Sequence, residues 1–176
     1  MPTYAKRVAP FGTTIFTEIN QLAAKHNAVN LGQGRPDFDG PQEIVDAAIE
    51  ALNSDGANQY APSPGLPALR EGVARHAGFF YGLDVDPEAG VIVTAGATQG
   101  VYSAIMGLVD PGDEVIIIEP YYDSYVPGVQ MAGGRPVYVP MHPPHWTFDE
   151  EELRAAFSDN TRAVILNTPN NPSGRV

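Results

Sequence analysis

Pro111-Gly112-Asp113-Glu114-Val115-Ile116-Ile117-Ile118 is a tight turn followed by an apolar run with no polar break. A strand with one wet face alternates apolar and polar residues. An unbroken run signals burial on both faces, the habit of parallel sheets. Working outward, Val91-Ile92-Val93-Thr94 lies before it, and Val137-Tyr138-Val139 and Ala163-Val164-Ile165-Leu166 follow. Helical stretches separate these runs: one from Ala97 through Val109, one from about Tyr122 to Met131 ending at Gly133-Gly134, and one reaching Phe157. The last opens on Asp149 with Glu152 three residues on, a capping-box-like start. Its Glu150-Glu151-Glu152 complements the positive end of the helix dipole. Strands alternating with helices predict that residues 91–167 form a doubly wound α/β unit, a mostly parallel sheet with helices on both faces.

Upstream the pattern is helical. Thr14 to about His26 spaces Ile15, Ile19 and Leu22 along one stripe, with Thr13 or Thr14 as N-cap. A short extended piece from Val29 opens into a Gly/Pro turn through Phe38. Pro41 is suited to the first position of a second helix, whose face is Ile44, Val45, Ala48, Ile49 and Leu52. Asn53-Ser54-Asp55-Gly56 ends it. A third helix begins at Pro67, aligns Leu69, Val73, Ala77 and Phe80, and closes at Gly82. After the last apolar run, residues 167–176 make a Pro/Asn/Gly turn that should lead into a helix, so the chain reads as truncated.

Composition narrows the classes. The 176 residues carry 10 basic and 21 acidic side chains, a net charge of −11, which gives no basic patch for nucleic-acid phosphates. There is no cysteine, so disulfides, thiolate metal sites and thiol nucleophiles are excluded. A hydrophobic fraction of 43% supports a packed core rather than disorder. No apolar run approaches a membrane span, and Met1-Pro2-Thr3-Tyr4 leads into no signal-peptide stretch. The expectation is a soluble, cytoplasmic protein with no membrane partner.

Ligands of open parallel sheets bind beyond the carboxyl ends of the strands, and three such ends are chemically unusual. Gly96-Ala97-Thr98 can present backbone N–H groups and a hydroxyl to a phosphate at a helix N-terminus; a plain capped turn would use the same residues. Tyr121, Tyr122 and Tyr125 cluster after the second run, where one ring could stack on a flat cofactor; packing over the sheet edge is the alternative. Asn167-Thr168-Pro169-Asn170-Asn171-Pro172-Ser173-Gly174 is the most specific string. Its prolines restrict the backbone, and either X–Pro bond can be cis, so the Asn171 amide would be held at a fixed point. His142-Pro143-Pro144-His145 reads as solvated surface, not a metal pair. Gly32-Gln33-Gly34 lacks the third glycine of a dinucleotide fingerprint.

These residues together resemble a family. The string from Asn167 to Gly174 is similar to the N-x-P-x-N-P-[TS]-G signature of class I/II aminotransferases, the fold-type-I pyridoxal-phosphate (PLP) enzymes. Leu31–Phe38, Asn58-Gln59-Tyr60, Gly65–Arg70, Gly96–Gln99 and Asp110–Val115 follow in the family's order. The resemblance spans the whole chain and is strongest to the kynurenine/glutamine/methionine branch. It implies the aspartate aminotransferase-like fold, truncated here: residues 1–50 as N-terminal arm and part of a small domain, 51–176 as the first part of the large PLP-binding domain. It implies that Gly96, Ala97 and Thr98 hold the cofactor phosphate, that Tyr122 stacks on the pyridine ring with Tyr125 behind it, and that Asn171 bonds the ring's 3′ oxygen. Tyr60 would reach the phosphate in the neighbouring subunit of a homodimer with shared sites. Gly34, with Asn171, would meet the substrate, and Arg35 would contribute to a preference for acidic substrates.

The implied activity is transfer of an amino group between an amino acid and a 2-oxo acid, by ping-pong through a pyridoxamine form. It requires a Schiff-base lysine. Lys6 and Lys25 are the only lysines, and neither stands in the family's lysine context. The pyridine-pairing Asp and carboxylate-binding Arg would likewise fall beyond Val176, so the 176 residues alone are expected to be inactive. Two alternatives share the motifs: a PLP-dependent cysteine-conjugate carbon–sulfur β-lyase, and a non-catalytic PLP-binding regulator domain. A nucleotide-binding module is a third, weakened by the absent phosphate-loop patterns.

Overall fold

A computed structural model describes residues 4–34, 36–54 and 56–176; Met1, Pro2, Thr3, Arg35 and Asp55 fall outside it, and with them the reading of Arg35. The chain divides into two compact units, Ile15–Thr94 and a second containing Ala95–Val176 with the residues up to Thr14.

The second unit carries the sheet. Helix α4 is Ala97–Leu108, strand β1 Glu114–Glu119, helix α5 Tyr125–Met131, strand β2 Arg135–His142, strand β3 Thr147–Phe148, helix α6 Glu150–Ala155 and strand β4 Thr161–Ile165. The sheet order is β3-β2-β1-β4, with β1 parallel to both neighbours and the short β3 antiparallel to β2. The mostly parallel α/β sheet expected from the apolar runs is present. Val115, Ile116 and Ile117 are fully buried, so both faces of β1 are dry. Val115 and Ile117 pack with Ile105 and Val109 near the end of α4 and with Tyr125 and Val129 of α5. By strand alternation Ile116 and Ile118 face the other way.

Local expectations are corrected at several places. Val91–Thr94 forms no strand, although Val91 is buried. The Val93 N–H donates to the Pro64 carbonyl, a turn oxygen, rather than to a neighbouring strand. Helix α5 starts at Tyr125 rather than Tyr122, which puts Pro127 in the first turn, where a missing N–H costs nothing. At α6, Asp149 caps the Glu151 and Glu152 N–H groups, but the reciprocal arm is not made. The Glu152 carboxylate instead pairs with His142 Nε2 at 2.8 Å.

The amino end of the sheet is closed by a buried acid. Glu114, at the start of β1, pairs with Arg135 at the start of β2 and accepts a 2.8 Å bond from the Ser158 hydroxyl just before β4. That hydroxyl bond, foremost, holds the carboxyl below its ordinary value of 4.5; burial pushes the other way, and Arg135 adds to the lowering. A depressed carboxylate contributes stability that is fully present above its unfolded pKa and lost as pH falls through its folded one. Glu114→Gln is therefore expected to lower the melting temperature clearly at about pH 7 and much less at about pH 3. An equal loss at both pH values in thermal melts would remove the charge from the account.

In the first unit, α1 is Ile15–His26, α2 Gln42–Asn53 and α3 Pro67–Tyr81. Pro41 sits at the N-cap of α2, one place before the expected first position. The α2 stripe is present but unburied, with Ile44 67% and Leu52 63% exposed. Gly82 caps α3 in the left-handed conformation, φ 65°. The buried Arg70 donates to the Pro87 and Glu88 carbonyls at 2.9 and 3.3 Å, fixing the following turn to α3.

Candidate functional site

Gly96 enters α4 with φ 90° and ψ 162°, and no side chain caps the helix. Such backbone is essentially glycine-only for L-residues. The Gln99 side-chain oxygen accepts the Ala95 N–H at 2.6 Å, which pins the chain one residue before the cap. Ala97 and Thr98, the first two helical residues, are exposed. No side chain caps this twelve-residue helix, so its first N–H groups, at the positive end of the dipole, are a candidate anion site.

The three tyrosines after β1 separate by environment. Tyr121 stacks on Tyr138 of β2, with centroids 5.8 Å apart and planes at 14°. Tyr125 is buried in the core between α5 and β1. Burial first, and then Tyr122, raises the Tyr125 pKa above 10.0, and burial with Tyr138 does the same for Tyr121. Both stay neutral phenols around neutrality. Tyr122 is half-buried, meets Tyr125 edge-on at 5.8 Å, and brings its hydroxyl within 3.5 Å of Thr98 Oγ1.

After β4, the chain folds into a turn built on asparagine. Asn167 Oδ1 accepts the Asn171 N–H at 2.8 Å. Asn170 Oδ1 accepts both the backbone N–H and the hydroxyl of Ser173, and the Asn170 carbonyl accepts the Gly174 N–H at 2.7 Å. The peptide bonds before Pro169 and Pro172 are both cis. Asn171 contributes its backbone N–H and keeps an exposed side chain. Asn170 Nδ2 also donates to the Pro120 carbonyl at 3.3 Å. The Thr98–Tyr122 and Asn170–Pro120 contacts therefore bring the three segments singled out in the sequence to one carboxyl end of the sheet.

Gly34 and Tyr60 belong to the first unit. Tyr60 is fully exposed, and a Cβ on Gly34 would meet nothing within 4 Å. Reading the sequence missed the roles of Asn167 and Asn170 as the turn's acceptors, although asparagines alternating with prolines are the usual signal for such local bonding. It also missed the Ser124 hydroxyl, which is buried beside Tyr125 without a hydrogen-bond partner. Next to the turn, an open cleft of about 540 Å³ is lined by Ile118, Met141, Trp146, Phe148, Leu166 and Asn167. Among the described residues, no group of three or more His, Asp or Glu side chains could hold a metal ion. No helix among them is long and apolar enough to cross a membrane.

The profile of the family Aminotransferase class I and II matches residues 26–176. The chain belongs to that family. Among its curated relatives, the methionine aminotransferase of Escherichia coli is 46% identical over 97% of this chain, and mouse kynurenine–oxoglutarate transaminase 3 is 41% identical over 98%. Among solved structures, the N-succinyldiaminopimelate aminotransferase of Mycobacterium tuberculosis superposes with a TM-score of 0.90 at 47% identity over 97% of the chain. The chain spans 44%, 40% and 44% of the lengths of these three proteins, respectively. This aminotransferase-family chain therefore has the aspartate aminotransferase-like fold that its motifs imply. The three relatives carry three different substrate names, so similarity at this level fixes the family and leaves the amino donor open.

The residues present suit a phosphorylated aromatic cofactor. The α4 N-terminus, which no side chain caps, and the Thr98 hydroxyl are a donor set for a phosphate, and the adjacent Tyr122 ring packs against the core while staying half-buried, where Tyr125 is buried.

Proposed function

We propose that these residues serve a PLP-dependent aminotransferase of about the relatives' length, which moves an amino group between an amino acid and a 2-oxo acid in alternating half-reactions. The observation that carries this reading is the convergence of a helix N-terminus without a side-chain cap, a half-buried tyrosine and an asparagine-built turn on one end of the sheet. Gly96 gives the turn its backbone, while Ala97 and Thr98 donate to the cofactor phosphate. Tyr122 covers one face of the ring, and Tyr125 holds Tyr122 from behind. Asn171 donates its amide to the ring's 3′ oxygen. Tyr60 reaches the phosphate bound by the partner in a homodimer, and Gly34 offers its backbone N–H to the substrate carboxylate. When bound, PLP supplies the electron sink for carbanion chemistry at the amino carbon. Residues 1–50 act as arm and part of a small domain, residues 51–176 as the first part of the cofactor-binding domain, and the protein works in the cytoplasm.

The test uses the complete protein with PLP and 2-oxoglutarate as acceptor. Amino transfer from an amino acid is expected. Pyruvate and ammonia released without an acceptor would favour the β-lyase instead, and cofactor binding without either reaction would favour the regulator. Asn171→Ala removes a hydrogen bond to a charged oxygen and is expected to lower kcat/KM by about tenfold or more. The 176 residues alone are expected to give no turnover, because neither Lys6 nor Lys25 takes the covalent role.

A further inference from the structure

The loop that carries Gly34 has no strand or helix to hold it, yet it is fixed to α1 at several points. Asn30 Nδ2 donates to Asn20 Oδ1 at 2.6 Å. Asn20 Nδ2 donates in turn to Gln33 Oε1 at 3.3 Å. Asn30 Oδ1 accepts the Gly32 N–H at 2.9 Å, a local side-chain turn. Between these bonds Gly32 approaches α1 so closely that a Cβ would stand 2.7 Å from Ile19 Cγ2. One side chain of α1, Asn20, thus grips the loop on both sides of Gly32.

All the side chains in this clamp are neutral amides. An acidic clamp one residue from Gly34 would repel a substrate carboxylate, and a basic one would compete for it. Amides hold the backbone without doing either, and they hold it independently of pH.

We propose that Asn20 and Asn30 are positioning residues that set the Gly34 backbone N–H for the substrate carboxylate. This rests on the aminotransferase reading, in which Gly34 faces that group. The two side chains act through the bond they share and through one further bond each, Asn20 to Gln33 and Asn30 to the Gly32 N–H.

The test is steady-state kinetics on the complete PLP-loaded enzyme with Asn20→Leu, Asn30→Ala and the double variant. KM for the amino acid is expected to rise about fivefold or more in each single variant, the worth of at least one ordinary hydrogen bond, with kcat within about twofold. The double variant should fall short of the product of the two singles, because the Asn20–Asn30 bond is lost in either one. Asn30→Ser keeps an oxygen for the Gly32 N–H but loses the donor to Asn20. It should raise KM with an unchanged melting temperature, which separates positioning from folding. Unchanged KM in all variants, or a double variant whose effect is the product of the singles, overturns the proposal. A wild-type enzyme that transfers no amino group overturns the aminotransferase reading instead.

Discussion

Gly65→Ala is expected to cost the complete protein about 3 kcal/mol or more, through two mechanisms that add. Gly65 has φ 104°, a conformation that L-residues adopt only with strain. The added Cβ would also stand 2.5 Å from Val93 Cγ2 and 2.6 Å from Val93 Cβ. Valine is stiff about χ1, and rotating it does not move its Cβ, so the backbone itself must shift. That backbone is tied, since the Val93 N–H donates to the Pro64 carbonyl at 2.9 Å and the Gly65 N–H to the Pro62 carbonyl at 2.8 Å. Urea unfolding of the variant should show a lowered midpoint with an unchanged slope. Adding Val93→Gly removes the clash but not the strain, so it should recover part of the shift caused by Gly65→Ala when compared with Val93→Gly alone. Unchanged stability in the single variant would mean that the 62–66 loop and the 91–94 segment are not packed as described.

The second large effect is on the cofactor. Gly96→Ala meets no neighbour within 4 Å, so whatever it does comes from the backbone. Alanine cannot rest at φ 90°, ψ 162°, and the strain of about 2 kcal/mol is relieved by moving the first turn of α4. The PLP dissociation constant, measured by titration of the apo form of the complete protein, is expected to rise by about thirtyfold. Thr98→Ala leaves the helix end in place and removes one hydroxyl, so it should weaken binding several-fold less. If Gly96→Ala binds PLP as the wild type does, the phosphate lies elsewhere than at this helix end.

The sequence was most legible where local chemistry and burial agree. Pro67 and Gly82 bracket α3 as read, and the Val115–Ile118 run became the central strand because it is dry on both faces. Val91–Thr94 shows the limit: only Val91 of this apolar run is buried and Ile92 is 73% exposed, and a strand needs a backbone partner, about which composition says nothing. The start of α5 could have been found from Pro127, whose missing N–H is harmless only in a first turn. The His142–Glu152 pair displaced the expected capping bond because two residues ten apart meet across β3, which sequence spacing does not reveal. For the candidate site, the motifs marked the three strand ends, and the structure added the contacts that join them. It also showed which tyrosine remains at the edge, since that choice is made by the partners of Tyr121 and Tyr125 rather than by the string itself.

The sheet order has a consequence for the chain as it is synthesised. β1 is the most deeply buried strand, yet both of its neighbours come later, at Arg135–His142 and Thr161–Ile165. A nascent chain that has emerged only through Glu119 presents its most apolar segment to water with two open edges. Each parallel pairing must close a crossover loop before any contact rewards it. Until β4 arrives, this segment is exposed apolar chain of the kind that chaperones bind.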